Sequence, residues 1–129
     1  MKRFDLTGEW ISRYVYLNSA SESNASEHVV ILHQNDNKVV GRSLPQSDGS
    51  MVELHLTYDS EGGTLTGTWR EQTSSKGRYR GTLFHGALQL LLNKAHTKAA
   101  GKWVGFNSSR TEVKSGEWQI ARSRSKSAI

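Results

Sequence analysis

Short segments rich in Val, Leu, Tyr, Trp and Thr recur along the chain, and clusters of Gly, Asn, Asp and Ser separate them. Within these segments apolar and polar residues alternate, which is typical of strands with one buried face. The pattern predicts nine strand segments, at residues 7–17, 28–34, 38–44, 51–59, 65–73, 77–84, 87–92, 99–107 and 115–122. The sixth and seventh of these could form one long strand bent at His85-Gly86, which would leave eight strands.

The breaks between the segments contain residues that tight turns require. Asn35-Asp36-Asn37, Ser47-Asp48-Gly49 and Glu61-Gly62-Gly63 can close hairpins, because Asn, Asp and Gly accept left-handed backbone conformations. Residues 93–96 are expected to form a hairpin loop. The polar, Ser-rich residues 18–27 are too many for a tight turn, so we expect a mobile loop over an opening.

No segment shows a sustained helical period. Residues 89–100 could form a short helix by propensity, but a strand and a turn are favoured because Gly86 and Gly101 bracket them. Short strands joined by short turns indicate an antiparallel meander, whose two edges disappear if the sheet closes. We therefore predict an all-β fold, an eight-stranded antiparallel up-and-down barrel over residues 1–122 as a single domain. Residues 123–129 form a basic, Ser-rich tail that we expect to be disordered.

Each of the four tryptophans stands two residues after a glycine, in a Gly-x-Trp motif. Since positions i and i+2 of a strand face the same side, a glycine two residues before an indole clears room beside it or lets the strand bend. Charged residues at the alternate positions predict that the indoles point inward. The same alternation places Val52, Leu54, Leu56 and Tyr58 inside, and it puts Glu71 on the inward face with Trp69. All four tryptophans lie in such a motif, as Gly8-Glu9-Trp10, Gly67-Thr68-Trp69, Gly101-Lys102-Trp103 and Gly116-Glu117-Trp118.

With Leu6-Thr7-Gly8-Glu9-Trp10 near its start and a Gly-x-Trp strand ending near Arg122, the chain resembles the calycin barrels: lipocalins, fatty-acid-binding proteins and avidins. In lipocalins the Trp of the first strand packs against a basic residue of the final strand, and Trp10 and Arg122 match that pair by position. The repeated motif and the chain length are more similar to avidin. The resemblance implies a closed barrel that binds one small ligand.

Two narrower resemblances add possible ligands. Residues 77–81, 84–90 and 101–106 are similar to a barrel-like domain at the C-terminus of some bacterial helix-turn-helix regulators, which implies a ligand sensor. More loosely, residues 41–44 and 79–81 resemble the small barrel that serves as cyclic-oligonucleotide receptor in bacterial anti-phage defence. This second resemblance implies a nucleotide-type signal as ligand.

Composition excludes several classes of function. The chain has 129 residues and no cysteine, so disulfides, thiolate metal sites and cysteine nucleophiles are excluded. No apolar run is long enough for a membrane-spanning helix, and no secretion signal precedes the first strand, so we expect a soluble, cytoplasmic protein. The five histidines form no metal-binding pair, and Gly-x-Ser-x-Gly and phosphate-loop motifs do not occur.

The charge is distributed unevenly. Residues 1–73 hold 6 basic and 10 acidic residues, a net −4, whereas residues 74–129 hold 11 basic and 2 acidic residues, a net +9. Such a field favours an anionic partner, although a solubilising surface with a frayed tail explains it as well. The basic residues are spread over several strands, so a nucleic-acid partner is not expected.

The function predicted is a non-catalytic receptor or sensor for one small, anionic, nucleotide-type ligand, with a cyclic oligonucleotide as one candidate. Tyr14, Trp69 and Trp103 would supply apolar and stacking surface. Arg42 and Arg80 would hold the negative group, with His85 and Gln89 fixing its orientation. A purely structural explanation of the same residues is also open. In it the aromatic side chains are barrel core, the arginines lie on the outer face, and His85 is a rim histidine without a ligand.

Three alternatives stay open. One is a carrier of a neutral or apolar ligand, as in lipocalins and avidins. Another is a barrel enzyme such as an isomerase or cyclase, in which Glu71 or His85 would be the acid or base; Glu71 paired with Arg42 or Arg80 is the structural explanation of the same residues. The last is a module for protein interaction or homo-oligomerisation. No metal and no cofactor are predicted.

Overall fold

A computed structural model describes residues 5–17, 23–44, 50–73 and 83–123. These residues form eight strands, which follow one another around the sheet in chain order. Each strand is antiparallel to the next, and the last strand pairs with the first. The prediction of an all-β, eight-stranded, closed up-and-down barrel is therefore confirmed. The strands are β1 (Gly8–Leu17), β2 (Ser23–Asn35), β3 (Lys38–Ser43), β4 (Met51–Asp59), β5 (Thr64–Gln72), β6 (Leu83–Leu92), β7 (Lys98–Asn107) and β8 (Val113–Arg122).

Most strand boundaries lie close to the predicted ones, and β2 is the largest exception. It begins at Ser23, whereas the sequence placed residues 23–27 in a mobile loop. The polar composition misled the prediction, because β1 pairs with β2 along its whole length, from Gly8 opposite Leu32 to Leu17 opposite Ser23. Backbone hydrogen bonds to a long neighbour thus hold a polar segment in the sheet, whatever its side chains prefer.

The strand through His85-Gly86 is continuous, as the eight-strand alternative required. The loop after it spans residues 93–97, one residue longer than predicted, because the Asn93 side-chain oxygen accepts hydrogen bonds from both the Thr97 and Lys98 backbone amides. Several predictions lie outside the described residues: the strand at 77–82, the turn at 47–49, residues 18–22 and the tail after Ser123. Ser123 itself donates its backbone amide to Glu9.

All four tryptophans point into the barrel and are at most 5% exposed. The inward set predicted for β4 is also confirmed, since Val52, Leu54, Leu56 and Tyr58 are buried. Burying an indole requires a partner for its N–H. Each one has an acceptor: Leu6 O for Trp10 (2.9 Å), Val104 O for Trp69 (3.1 Å), Val15 O for Trp103 (3.1 Å) and Ser12 Oγ for Trp118 (2.8 Å).

The glycines of the motif sit where neighbouring strands approach closely. A Cβ atom at Gly67 would lie 1.9 Å from the His55 carbonyl oxygen, and one at Gly101 would lie 1.8 Å from that of Gln89. At Gly116 the carbonyl oxygen of Val15 would be 2.3 Å away. The missing side chains allow the strands to coil tightly, which brings the following indole into the interior.

One end of the barrel, called the closed end below, is filled with side chains. The Arg122 guanidinium lies over the Trp10 ring at 5.2 Å, so the predicted Trp10–Arg122 pair is confirmed. The same guanidinium donates hydrogen bonds to the backbone oxygens of Asp5 (3.1 Å) and Thr7 (2.8 Å). Leu6, the residue after Asp5, is fully buried. These contacts tie the chain before β1 across this end.

Candidate functional site

A cavity of about 120 Å³ opens at the opposite end of the barrel, called the open end below. It lies where β1, β5 and β7 finish and where β2, β6 and β8 begin. Aromatic and small polar side chains form most of its wall. The described residues that line it are Tyr14, Tyr16, Ser26, Trp69, Glu71, Thr73, Phe84, Trp103, Gly105, Phe106, Asn107, Glu112 and Lys114.

The deep wall of the cavity is a cluster of packed rings. Trp69 and Trp103 meet edge to face, with ring centroids 5.5 Å apart and an interplanar angle of 88°. Tyr14 lies 6.5 Å from Trp69 and 6.2 Å from Trp103. A Cβ atom at Gly105 would fall 2.5 Å from Trp69 and 2.9 Å from Trp103, so this glycine lets both indoles reach the backbone of β7.

Tyr14 joins this ring cluster to the polar part of the wall. Its hydroxyl donates a hydrogen bond to the Glu71 carboxylate and also hydrogen-bonds with Ser26. Burial raises the pKa of the Tyr14 hydroxyl far above its usual range, and the negative charge of Glu71 raises it further. Tyr14 is therefore a neutral hydrogen-bond donor at every physiological pH. Its donation orients the half-buried carboxylate, which faces inward as predicted.

The rim beside β7 and β8 is held by side-chain hydrogen bonds. The Asn107 side-chain oxygen accepts from the backbone amides of Thr111 (3.0 Å) and Glu112 (3.1 Å), and its amide nitrogen donates to the Thr111 hydroxyl (2.8 Å). Lys114 Nζ lies 3.8 Å from a Glu112 carboxylate oxygen. Of the described charged residues, Glu71, Glu112 and Lys114 line the cavity.

The structure brings together three of the predicted binding residues and places Arg42, His85 and Gln89 away from them. Tyr14, Trp69 and Trp103 all line the cavity. Arg42 is on the outer face, where its side chain is 70% exposed and its Nε lies 3.1 Å from a Glu53 oxygen. Arg42 thus pairs with Glu53, and the expected structural pair of Arg42 with Glu71 is wrong. Gly41 and Ser43 take the inward positions of β3 on either side of Arg42.

His85 and Gln89 also face outward on β6, because Gly86, Leu88 and Leu90 occupy the inward positions. Gln89 donates to the Thr66 hydroxyl at 3.0 Å on the outer face. The His85 ring contacts Phe106 at the rim, with ring centroids 5.7 Å apart, but does not line the cavity. Arg80, with its neighbours Lys76 and Arg78, lies outside the described residues.

Several residues of the cavity wall were not predicted as site residues. Ser26 was assigned to a loop, and Lys114 lies one residue before the strand predicted at 115–122. A longer β2 and β8 would have placed both inside by alternation. His28 is another buried polar residue, 5% exposed, and its ring stacks 6.4 Å from that of Tyr14 with an interplanar angle of 5°. Nothing in the sequence distinguished it from the exposed histidines.

Within the described ranges, no group of three or more His, Asp or Glu side chains could hold a metal ion. The same residues form no helix that is long and apolar enough to cross a bilayer. No protein-family model matches the sequence, and no curated protein matches it. The functional argument therefore rests on the geometry of the cavity.

Proposed function

We propose that this protein is a non-catalytic receptor or carrier that holds one small, ring-bearing ligand in the open end of its barrel. The observation that carries the proposal is the cavity walled by Tyr14, Trp69 and Trp103. Aromatic walls with a few convergent polar groups are the usual composition of a small-molecule site. A flat ring in the cavity would contact the edges of these side chains, and burial of its apolar surface would contribute to affinity.

The contrast between the two ends of the barrel supports this location. Leu6 and Trp10 are fully buried at the closed end, where Tyr58 is hydrogen-bonded to His96 at 2.9 Å. A ligand would therefore enter through the open end. The polar groups that it would meet there are Ser26 and the Glu71 carboxylate, both of which are hydrogen-bonded to the Tyr14 hydroxyl.

Tyr14 is better suited to binding than to proton transfer. A general acid or base needs a pKa near the working pH, and the pKa of Tyr14 is moved away from that range by burial. Tyr14 instead donates one constant hydrogen bond to Glu71, which holds that carboxylate in place for a ligand. The anionic ligand expected from the sequence stays a prediction, with Arg42 on the outer face and Arg80 outside the described residues.

The indole N–H signals of the four tryptophans test the proposal in a ¹H–¹⁵N spectrum. The ligands would be phenethylamine, phenethyl alcohol, 3-phenylpropionate, adenosine, AMP and a cyclic dinucleotide. We expect at least one to shift the Trp69 and Trp103 signals and to raise the unfolding temperature. The Trp10 signal should stay in place, because Trp10 lies at the closed end.

Two neighbouring positions of β2 supply a matched pair of variants. Ser26→Phe places a ring in the cavity and should weaken binding by about tenfold or more. Glu27→Phe places the same ring on the exposed outer face and should leave affinity unchanged. A panel without any response at Trp69 and Trp103, or binding that survives Ser26→Phe, would contradict the proposal.

A further inference from the structure

We infer that two copies of this chain associate through the outer face of β2, around a two-fold axis that runs along this strand. The inference is independent of the proposed function, because the described wall of the cavity contains none of the residues concerned. The surface, called the β2 face below, consists of Glu9, Ile11, Val29, Ile31, Arg42 and Leu44.

The first argument is the composition of β2. Residues 29–32 form an unbroken apolar run, which is typical of a strand that is covered on both faces. The barrel interior covers Val30 and Leu32, both of which are fully buried. Val29 and Ile31 point outward and are half-buried. The outer face of β2 thus has the composition of a surface that a partner covers.

Apolar residues beside β2 extend this surface. Ile11 of β1 lies directly opposite Val29 in the sheet register. On the other side, the backbone amide of Leu44, which follows β3, donates to the Val29 oxygen at 2.9 Å. Ile11 is 38% exposed and Leu44 is 45% exposed. Side chains that face each other across neighbouring strands lie about 5 Å apart, so these three form one patch with Ile31.

Opposite charges flank the apolar patch. In the sheet register, Ile31 lies between Glu9 of β1 and Arg42 of β3. Both charged side chains are exposed. Arg42 pairs with Glu53 through Nε at 3.1 Å, but a guanidinium has five N–H donors and can bind a second carboxylate. The β2 face therefore carries a negative charge on its β1 side and a positive charge on its β3 side.

This arrangement is complementary to itself. A two-fold axis parallel to β2 turns the partner's β3 side toward the β1 side of the first copy and keeps each residue at its own level along the strand. Val29 and Ile31 then meet the same residues of the partner, and Ile11 meets the partner's Leu44. Glu9 meets the partner's Arg42, and symmetry makes this ion pair twice.

The charges also favour this axis over a perpendicular one. An axis that crosses β2 at right angles would place Glu9 against its own copy or against the partner's Ile11. Like charges would repel, and a carboxylate covered by an apolar side chain would lose its hydration without gaining a partner. The barrel surface curves away on both sides of β2, and the long side chains of Glu9 and Arg42 suit the wider gap there.

Sedimentation velocity of the full chain over a concentration series tests the inference. We expect a monomer–dimer equilibrium with a dissociation constant in the micromolar range, since the patch is small. Ile31→Glu places a charge in the centre of the interface and should weaken dimerisation by about tenfold or more. Val104→Glu is the matched control, because Val104 is also half-buried on the outer face but lies on β7, three strands away. It should dimerise like the wild type.

Two charge reversals test the axis. Glu9→Arg and Arg42→Glu each bring like charges together twice in their own homodimer, so each variant alone should dimerise about tenfold more weakly than the wild type. In an equimolar mixture, each variant supplies the charge that the other needs. The mixed dimer should therefore recover an affinity within about threefold of the wild type, and a fluorescent label on one variant identifies it.

Each contrary outcome has a definite meaning. A chain that stays monomeric throughout the series would overturn the inference and leave the β2 face to a different partner. A dimer that Val104→Glu disrupts and Ile31→Glu does not would overturn it too, because another face would form the contact. If the mixed charge variants dimerise no better than either alone, the axis along β2 is wrong. The charge variants alter exposed residues, so they decide the question even if Ile31→Glu does not fold. The indole signals of the ligand test report separately on the cavity.

Discussion

Tyr14 belongs to the hydrophobic core and to the cavity wall at once. Its ring packs 4.7 Å from that of Trp118 in the barrel interior, while its hydroxyl reaches Glu71 and Ser26. The sequence predicted the inward ring from the alternation of β1. It could not predict the hydroxyl's partners, because they come from β2 and β5, and contacts between distant strands depend on register.

The raised pKa of Tyr14 predicts how stability changes at alkaline pH. The unfolded tyrosine ionises near its ordinary pKa of 10.0, whereas the folded one keeps its proton to much higher pH. Above pH 10 the unfolded state therefore binds fewer protons, and the free energy of unfolding falls by about 1.4 kcal/mol per pH unit from this group. Below pH 10 the contribution of Tyr14 is fully present.

Tyr14→Phe removes this titration. We expect the variant to be about 1–3 kcal/mol less stable at pH 8, because two buried hydrogen bonds are lost. The difference should shrink as the pH rises from 10 to 11. Urea unfolding at several pH values would measure it. Curves for the wild type and the variant that stay parallel up to pH 11 would show that Glu71 and burial do not hold the proton on Tyr14.

At the scale of the strand, alternation predicted more than composition did. The inward residues of β4 and the four inward tryptophans follow from alternation with a period of two. Composition failed for β2, where a polar segment is strand because β1 extends beside it. Arg42 was ambiguous for a related reason: β3 carries apolar residues on both faces, with Val40 half-buried on the outer side and Val39 buried inside.

The close approach of strands at the Gly-x-Trp glycines predicts a steep cost for a single methyl group. Gly67→Ala would place a Cβ 1.9 Å from the backbone oxygen of His55, which no side-chain rotation can relieve. We expect a loss of about 1–3 kcal/mol in the free energy of unfolding, measured by urea titration. The indole signal of Trp69 should also move.

Gly62 in the β4–β5 turn is the matched control. A Cβ there would lie 3.2 Å from an Asp59 side-chain oxygen, a flexible group that can shift. Gly62→Ala should change stability by no more than about 0.5 kcal/mol. Equal effects of the two alanine substitutions would mean that strand coiling does not depend on the absence of a side chain at Gly67.

At the scale of the whole molecule, closure depends on the short seam between β1 and β8. Five residue pairs form it, from Trp10 opposite Arg122 to Tyr14 opposite Trp118. Beyond the last pair, the Trp103 indole donates to Val15 O near the open end. Arg122 holds the other end through Asp5, Thr7 and the Trp10 ring. Only five backbone pairs join β1 to β8, and side-chain contacts at both ends of this seam add to the closure.

Arg122→Lys tests this closure. The lysine keeps the positive charge but has neither the planar fork that donates to two carbonyl oxygens nor the flat face that lies on Trp10. We expect a loss of about 1–2 kcal/mol in urea unfolding. Arg13→Lys on the exposed outer face of β1 is the control and should be nearly neutral. If the Arg122→Lys variant is as stable as the wild-type protein, Arg122 has no role in closing the barrel.

The candidate site was predictable in part. Its rings, Tyr14, Trp69 and Trp103, follow from strand alternation, and Glu71 follows from its position two residues after Trp69. Ser26 and Lys114 were missed because strand ends are set by neighbouring strands rather than by local composition. His85 and Gln89 were expected near a ligand because of their polar chemistry, yet their position on β6 turns them outward.

The amino-acid sequence by itself determined most of the strands, their antiparallel order and the inward tryptophans. These properties depend on period, turn residues and adjacency along the chain, all of which are local. Only the tertiary structure decided which polar groups meet in the cavity and which end of the barrel is filled. The reason is that closure sets the register between β1 and β8, and this register brings together residues more than a hundred positions apart, such as Ser12 and Trp118.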